Sequence, residues 1–179
     1  MPKYAAFLRA VNLGPTRKVS SADLRSLFEE LGFEGVQTFR TSGNVVFEAG
    51  RRPATGQIEK GLAALLGGEV PIFLRTDMEI QALATQEPFP RRLVDASKGK
   101  LQVVLLSKKP TAKARKDVLS LATDEDRLAF GERELYWLPS GGIRDSALNL
   151  RSLEKQLGQT TTRTMGTIDQ LAAKYFRPA

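Results

Sequence analysis

Two short stretches, Arg9-Ala10-Val11-Asn12-Leu13-Gly14 and Thr41-Ser42-Gly43-Asn44, decide the fold that this sequence predicts. The first follows an apolar strand pattern, and the second joins two further strand patterns later in the chain. Both combine small, polar and glycine residues at the point where a strand meets a loop. We therefore expect them to form the two halves of one polar corner.

The hydrophobic residues of the first half recur with periods that alternate between those of strands and those of amphipathic helices. The predicted elements are, in order, a strand at 3–11, a helix between 20 and 32, strands at 35–40 and 44–48, a helix at 58–66 and a strand at 70–75. This β-α-β-β-α-β order is that of the split βαβ, or ferredoxin-like, arrangement.

The second half repeats this order of patterns without repeating the residues. Between the halves, a capping box at 76–79 opens a linking helix, Pro88-Phe89-Pro90 ends it, and 95–100 is predicted as loop. The later elements are a strand at 101–106, a helix at 112–122, strands at 127–130 and 134–138, a helix at 150–157, a strand at 160–164 and a last helix carrying Ile168, Leu171 and Tyr175.

The sequence therefore predicts an α+β protein made of two tandem ferredoxin-like (βαββαβ) domains, with antiparallel sheets and an extra C-terminal helix. The N-terminal domain is expected to span 1–87, including the linking helix. The C-terminal domain is expected to span 88–179 and to be basic.

The composition of the 179-residue chain excludes several kinds of chemistry. It contains no cysteine and no histidine, so disulfides, thiolate metal sites and Ser-His-Asp hydrolysis each lack a required residue. No apolar run approaches the roughly 20 residues that span a bilayer, and the N-terminus lacks a signal-peptide cleavage region. We expect a cytoplasmic protein without a membrane segment, metal site or cofactor, and the sequence does not establish whether it is an enzyme.

The positive charge of the chain is concentrated in its second half. The net charge is +7, but residues 1–87 hold ten Lys and Arg against ten Asp and Glu, whereas residues 88–179 hold seventeen against ten. A basic half indicates an anionic partner such as a phosphate group, a nucleotide or a nucleic acid. The alternative is that the surplus charge only keeps the protein in solution.

The predicted topology brings the two opening stretches together. In a ferredoxin-like sheet, right-handed crossovers place the third strand beside the first and antiparallel to it. The end of the first strand then lies next to the start of the third, which brings Arg9 and Asn12 close to Ser42, Gly43 and Asn44. Guanidinium groups, hydroxyls and glycine amides with few carboxylates favour an anion. Alternatively, the two asparagines only satisfy backbone groups.

The same topology predicts a second polar corner in the second half. The loop that ends at Ser146 is expected at the same end of the sheet as Thr162 and Arg163, which close the last strand. Ser146 can also cap the helix that follows, whose N-terminal amides favour negative charge. We therefore predict Ser146, Thr162 and Arg163 as ligand-binding residues together with those of the first corner.

Several short motifs indicate a protein family only when they occur together. They are the run from Tyr4 to Gly14, Ser42 to Phe47, Pro88-Phe89-Pro90, Arg133 to Tyr136, Ser146 with Leu148, and Thr162-Arg163. In this combination the chain resembles, over nearly its whole length, the domain of unknown function 1697 family of bacterial proteins. The resemblance implies a two-part α/β protein of ferredoxin-like character and no established activity. The chain departs from the family pattern at Pro15, where a second glycine is usual, and at Thr164-Met165-Gly166-Thr167, which replaces an Asn-Trp-Asn-Thr run.

Three functions remain open at this point. In the first, the polar corners bind an anionic small molecule or nucleotide that carries phosphate or carboxylate, with Arg9 and Arg163 as a clamp. In the second, the basic half is a nucleic-acid-binding module, although the strand aromatics typical of RNA-recognition domains are sparse. In the third, the protein is a structural or interaction protein without a ligand. The sequence does not determine the ligand or the oligomeric state.

Overall fold

The structure is a computed structural model that describes residues 1–177; the last two residues of the predicted second domain lie outside the described residues. The strands are β1 (Lys3–Leu8), β2 (Glu34–Thr38), β3 (Asn44–Glu48), β4 (Ile72–Thr76), β5 (Gln102–Leu106), β6 (Asp126–Phe130), β7 (Glu134–Pro139) and β8 (Thr160–Thr164). The helices are α1 (Ser21–Glu30), α2 (Thr55–Leu66), α3 (Asp77–Ala84), α4 (Arg91–Ala96), α5 (Ala112–Leu119), α6 (Leu150–Leu157) and α7 (Met165–Tyr175), with a short 3-10 helix at Ile143–Asp145. Over residues 1–177 the fold is α+β, with two four-stranded antiparallel sheets and seven α-helices.

The chain divides into two compact units. Unit 1 contains Met1–Leu83 and the described residues from Leu171 onward, and unit 2 contains Ala84–Gln170. The C-terminal part of α7 joins unit 1 because Tyr175 packs edge-to-face on Phe39, with ring centres 6.1 Å apart. The predicted domains, 1–87 and 88–179, differ from these units mainly at this C-terminal segment.

The sheet of unit 1 has the strand order β2-β3-β1-β4. β1 lies in the interior of the sheet and pairs antiparallel with both β3 and β4. Its residues from Tyr4 to Leu8 are all buried, because a central strand needs apolar side chains on both faces. The crossovers through α1 and α2 bring the end of β1 beside the start of β3, where Phe7 pairs with Asn44.

The core of unit 1 forms where α1 and α2 pack on one face of this sheet. Phe28 of α1 lies 5.2 Å from Phe47 of β3, measured between ring centres, and Phe33 lies 4.5 Å from the same ring. Ile58 and Leu62 of α2 are fully buried beside them. The apolar stripes that predict the two helices are therefore the residues that cover the sheet.

The sheet of unit 2 has the order β6-β7-β5-β8, with β5 in the interior. On one face, Trp137 of β7 is fully buried together with Val104 and Leu135, under Val118 of α5 and Leu153 of α6. Threonines fill β8, whose β-branched side chains suit a strand, and the predicted strand at 160–164 is confirmed.

Several element bounds differ from the sequence-based expectations: the strand predicted at 35–40 is 34–38, the helix predicted at 112–122 ends at 119, and the helix predicted at 58–66 begins at 55. Two further differences have a local backbone cause. β1 ends at Leu8 instead of continuing to residue 11, because Ala10 adopts a left-handed conformation with φ of 54° that interrupts an extended strand. The helix α4 occupies 91–96, where a proline-terminated segment and the beginning of a loop were expected. Pro90 is the N-cap residue of this helix, and its carbonyl oxygen accepts the first hydrogen bonds, from the N–H groups of Leu93 at 2.8 Å and Val94 at 3.3 Å. Over the residues described, each helix is too short or too polar to cross a bilayer.

A substitution at Gly43 tests the close packing that joins β1 to the β2–β3 turn. Gly43 has φ of 82°, and a Cβ atom there would lie 2.5 Å from Val11 Cγ2 and 2.9 Å from Leu8 Cβ. We expect Gly43→Ala to lower the free energy of unfolding by about 3 kcal/mol, the sum of backbone strain and overpacking. Urea denaturation measures this loss.

Gly67→Ala is the matched control. Gly67 also has a positive φ, 72°, but no described atom lies within 4 Å of the position of its added Cβ. This variant should lose only about 1 kcal/mol, from the backbone term. Equal losses in the two variants would mean that Gly43 is needed for its conformation alone.

Candidate functional site

The turn between β2 and β3 is fastened to the end of β1 through Gly43. The backbone N–H of Leu8 donates to the carbonyl oxygen of Gly43 at 2.8 Å. Because Gly43 has no side chain, Val11 and Leu8 pack against its Cα. We call the surface formed by residues 9–19 and 39–44 the basic corner.

Asn12 fastens the loop after β1 to the same turn. Its Nδ2 donates to the carbonyl oxygen of Thr41 at 2.8 Å and to that of Val19 at 3.2 Å, while its Oδ1 accepts from the N–H of Val19 at 2.9 Å. The amide of Asn12 is thus engaged inside the corner. This contact brings Asn12 to the turn, as the topology predicted, and makes it a positioning residue.

Asn44 holds the turn from its other side. It is 1% exposed, and its Nδ2 donates to the carbonyl oxygen of Phe39 at 2.7 Å and to Ser42 Oγ at 3.0 Å. Its backbone carbonyl accepts from the N–H of Phe39 at 2.9 Å. Ser42 and Asn44 therefore fix the residues at the start of the turn.

The basic corner concentrates unusual backbone conformations. Among residues 1–177, the non-glycine residues with positive φ are Ala10, Asn12, Arg17 and Arg40, with values between 54° and 60°. Each left-handed residue other than glycine or asparagine costs about 1–2 kcal/mol. Such strain persists where surrounding contacts over-determine it, and it is frequent at functional sites.

The charged side chains of the basic corner are all positive. The segments 1–22 and 35–47 contain no aspartate or glutamate, whereas the corner carries Arg9, Arg17, Lys18 and Arg40. Lys18 and Arg40 are exposed, and Arg9 and Arg17 are half-buried. Arg17 also donates through Nη2 to the backbone oxygen of Glu69, which brings one acidic residue beside the loop.

A cluster of aromatic rings and cations borders the basic corner. The Arg40 guanidinium carbon lies 5.5 Å from the centre of the Phe39 ring, and Lys174 Nζ lies 5.1 Å from the Tyr175 ring and 6.0 Å from that of Phe39. Sequence reasoning missed this cluster. The dipeptide Phe39-Arg40, directly before the turn, indicates an aromatic ring beside a cation. No sequence pattern indicates that Tyr175 lies against Phe39, because the two residues are far apart in the chain.

In unit 2, Ser146 takes part in hydrogen bonds that connect the β7–α6 loop to the sheet. Ser146 Oγ donates to Asp126 Oδ1 at 2.6 Å, and the same carboxylate oxygen accepts from Trp137 Nε1 at 2.8 Å. Ser146 Oγ also accepts from the N–H of Leu148 at 2.9 Å. The hydroxyl therefore stabilises the loop.

Ser146 and Arg163 lie on opposite faces of this sheet. Arg163 pairs with Val103, which pairs with Tyr136, so these three side chains share one face. Trp137, the next residue on β7, points to the other face, where its indole meets the carboxylate that binds Ser146. The second predicted corner is thus divided by the sheet, and Thr162 lies on β8 beside Val104 on the Trp137 face.

Arg163 is a buried arginine that has an equivalent in unit 1. Arg163 Nη1 donates to Thr161 Oγ1 and to the carbonyl oxygen of the preceding residue, and Arg75 Nη1 makes the same contact with Leu74. Each arginine pairs with the central strand of its sheet, and each precedes a threonine that caps the next helix. Burial lowers the pKa of Arg163 to about 10, so its guanidinium remains charged at neutral pH.

The positions of the carboxylates in the described part of the chain also bear on cation binding. Within residues 1–177, no three Asp or Glu side chains gather as a group that could hold a metal ion. The basic corner, with its guanidinium groups and scarce carboxylates, is instead suited to negatively charged groups.

Comparisons with known proteins support the fold and leave the activity open. The family model described as "Protein of unknown function (DUF1697)" matches residues 1–136. The chain is also similar to the structure of the conserved bacterial protein SP0830 from Streptococcus pneumoniae, with a TM-score of 0.67 and 20% sequence identity. That match covers 96% of this chain and 97% of the other. No curated protein matches the sequence.

Removing the Asn12 side chain tests whether its hydrogen bonds hold the loop after β1 against the β2–β3 turn. Asn12→Gly permits the positive φ but removes three hydrogen bonds, one of them to the N–H of the buried Val19. We expect a loss of about 1–3 kcal/mol in the free energy of unfolding, together with faster hydrogen exchange at Val19. Ala10→Gly is the matched control: it changes another left-handed residue of the loop and should not lower stability. An Asn12→Gly variant as stable as the wild type would contradict this role of the Asn12 hydrogen bonds.

The burial of Arg163 predicts a pH dependence of stability. Burial lowers the pKa of Arg163 from its ordinary value to about 10, so the stability that this group contributes is fully present above its ordinary pKa and is lost as the pH falls through 10. Relative to Arg163→Gln, the wild type should lose about 2 kcal/mol between roughly pH 11.5 and pH 9. Urea unfolding of both proteins measures the difference, and Arg151→Gln, which removes an exposed guanidinium, controls for net charge. Parallel curves would contradict the prediction.

Proposed function

The chain belongs to the DUF1697 family, whose function is unknown, and from this premise we propose that the basic corner binds an anionic small molecule carrying phosphate or carboxylate groups. The observation that carries the proposal is the meeting of two segments that hold several cations and no carboxylate. The proposed function is binding; no reaction is assigned.

The charges of the corner support a phosphate-bearing ligand. Arg9, Arg17, Lys18 and Arg40 belong to one loop and one turn that the Asn12 amide ties together. Guanidinium groups can offer phosphate or carboxylate two parallel hydrogen bonds, each stronger than one between neutral groups. Cations held near each other repel, so an anion that neutralises them gains additional binding energy.

The backbone of the corner supports the same proposal. Arg17 and Arg40 occupy left-handed positions, where glycine would be free of strain. The chain therefore carries two arginines at positions where they lower its stability. Strain of this kind fits a site that holds charged groups ready for a ligand, because their conformations are fixed before binding.

The predicted site residues take different roles in this proposal. Arg9 and Arg40 contact the ligand, whereas Asn12 and Asn44 position the loop and the turn. Ser42 orients Asn44, and Gly43 permits the close packing. Ser146, Thr162 and Arg163 belong to unit 2, and the proposed site does not use them.

We also infer that each unit is a ferredoxin-like domain. The orders β1-α1-β2-β3-α2-β4 and β5-α5-β6-β7-α6-β8, together with the matching strand orders in the two sheets, support this inference. The equivalent positions of Arg75 and Arg163 at the ends of the fourth strands are consistent with it.

Replacing Arg40 by glycine separates binding from stability. Arg40→Gly removes a guanidinium from the corner and relieves a left-handed residue with φ of 60°. We expect the affinity for inorganic tripolyphosphate to fall by roughly tenfold or more, while the thermal unfolding temperature stays equal or rises. Isothermal titration calorimetry measures the affinity, and a thermal melt measures the stability.

Two controls complete this experiment. Ala10→Gly relieves strain in the same corner without changing its charge and should leave affinity unchanged. Arg151→Gln removes an exposed positive charge from α6 and should also leave it unchanged. A wild-type protein that does not bind tripolyphosphate, or an Arg40→Gly variant with unaltered affinity, would overturn the proposed function.

A further inference from the structure

We propose that the anion bound at the basic corner is the phosphate part of a nucleotide, whose base stacks on the Arg40 guanidinium and the neighbouring Phe39 and Tyr175 rings. This inference rests on the proposed function, because it assigns the remainder of a ligand whose phosphates the corner already holds. It names the class of ligand: a flat aromatic base joined to phosphates.

The first observation is the cation–π contact between Arg40 and Phe39. The Arg40 guanidinium carbon lies 5.5 Å from the ring centre, and the side chain is exposed. The guanidinium and the ring are therefore neighbours, and the exposed side chain carries a flat, charged group. Nucleobases stack on aromatic rings and on arginine planes.

The second observation is the pairing of Phe39 with Tyr175. The two rings meet edge-to-face at an interplanar angle of 82°, and both are half-buried. Lys174 Nζ lies within about 6 Å of both ring centres, at 5.1 Å and 6.0 Å. The cluster therefore offers partly exposed aromatic surface and an ammonium group next to Arg40.

The third observation is that hydrogen bonds with Asn44 fix the position of Phe39. The Phe39 carbonyl accepts from Asn44 Nδ2 at 2.7 Å, and the Phe39 N–H donates to the Asn44 backbone carbonyl at 2.9 Å. Asn44 is itself buried and paired with Phe7 of β1. The sheet therefore determines the position of the Phe39 backbone, and a pre-organised surface binds a base at lower entropic cost.

An inorganic anion would use only the cations of the corner. It gains from the positive charge of Arg9 and Arg40 but has no flat group to stack on the guanidinium or on the Phe39 and Tyr175 rings. A nucleotide uses both features at once. The same chemistry occurs in a free nucleotide and in single-stranded nucleic acid, and the two sources are distinguished below.

The test compares ATP with inorganic tripolyphosphate on the full chain, at equal ionic strength and without added metal. We expect ATP to bind at least roughly tenfold more tightly, because each stacked base adds affinity of that order. Phe39→Leu should abolish the advantage of ATP and leave the affinity for tripolyphosphate unchanged. Phe130→Leu is the matched control, since Arg115 lies over the Phe130 ring at 5.2 Å in unit 2, and it should change neither affinity.

A second measurement does not depend on any variant folding. In proton NMR spectra of the wild type, ATP should shift the ring resonances of Phe39 and Tyr175, whereas tripolyphosphate should leave them in place. Ring resonances that respond equally to both ligands would overturn the stacking.

The outcomes separate this inference from the proposed function. Equal affinities of the wild type for ATP and tripolyphosphate would overturn the nucleotide inference and leave the anion site intact. Absence of binding by either compound would overturn both. If an oligothymidylate of about eight nucleotides competes with ATP far more strongly than thymidine triphosphate does, the stacking is supported and its natural source is single-stranded nucleic acid; equal competition supports a free nucleotide.

Discussion

The contact of Gly43 with Leu8 and Val11 is the constraint on which the polar half of unit 1 depends. A glycine at this position allows the β2–β3 turn to approach the end of β1 more closely than any side chain would permit. The Leu8 N–H then reaches the Gly43 carbonyl at 2.8 Å. Because the turn is held there, the Asn12 amide reaches Thr41, and Arg40 comes to the same surface as the loop after β1.

The corner combines strain with internal hydrogen bonds. Ala10, Arg17 and Arg40 adopt left-handed conformations that are unfavourable for their side chains. The hydrogen bonds of Asn12 and Asn44 offset part of this cost by fixing the loop and the turn. The polar residues that the sequence predicts as ligands, Asn12, Ser42 and Asn44, thus mainly hold the backbone of the corner in place. The exposed cations Lys18 and Arg40 face the solvent. A rigid layer of supporting residues behind solvent-facing charged groups is the arrangement that pre-organises a binding surface.

The two units share a topology and differ in the chemistry of their loops. In unit 1 the loop after β1 and the β2–β3 turn leave cations at the surface. The equivalent β6–β7 turn of unit 2 meets the end of β5 through the Leu106 N–H and the Arg133 carbonyl oxygen, and it carries Glu132, whose carboxylate pairs with Lys109 at 3.1 Å. Both units carry a buried arginine at the end of the fourth strand, Arg75 and Arg163, paired with the central strand. A repeated fold therefore does not repeat a site, since the site depends on a few loop residues.

The sequence by itself determined the order of strands and helices, the repetition of that order and the meeting of Asn12 with the Thr41–Asn44 turn. These features follow from hydrophobic periodicity, turn residues and the handedness of crossovers, which are local or topological rules. Only the tertiary structure decided that β1 stops at Leu8, that residues 91–96 form a helix, and that Ser146 and Arg163 lie on opposite faces of one sheet. It also decided that Tyr175 lies against Phe39. The reason is physical: strand periodicity assigns side chains to alternating faces, but which loops fold over which face depends on contacts between residues far apart in the chain.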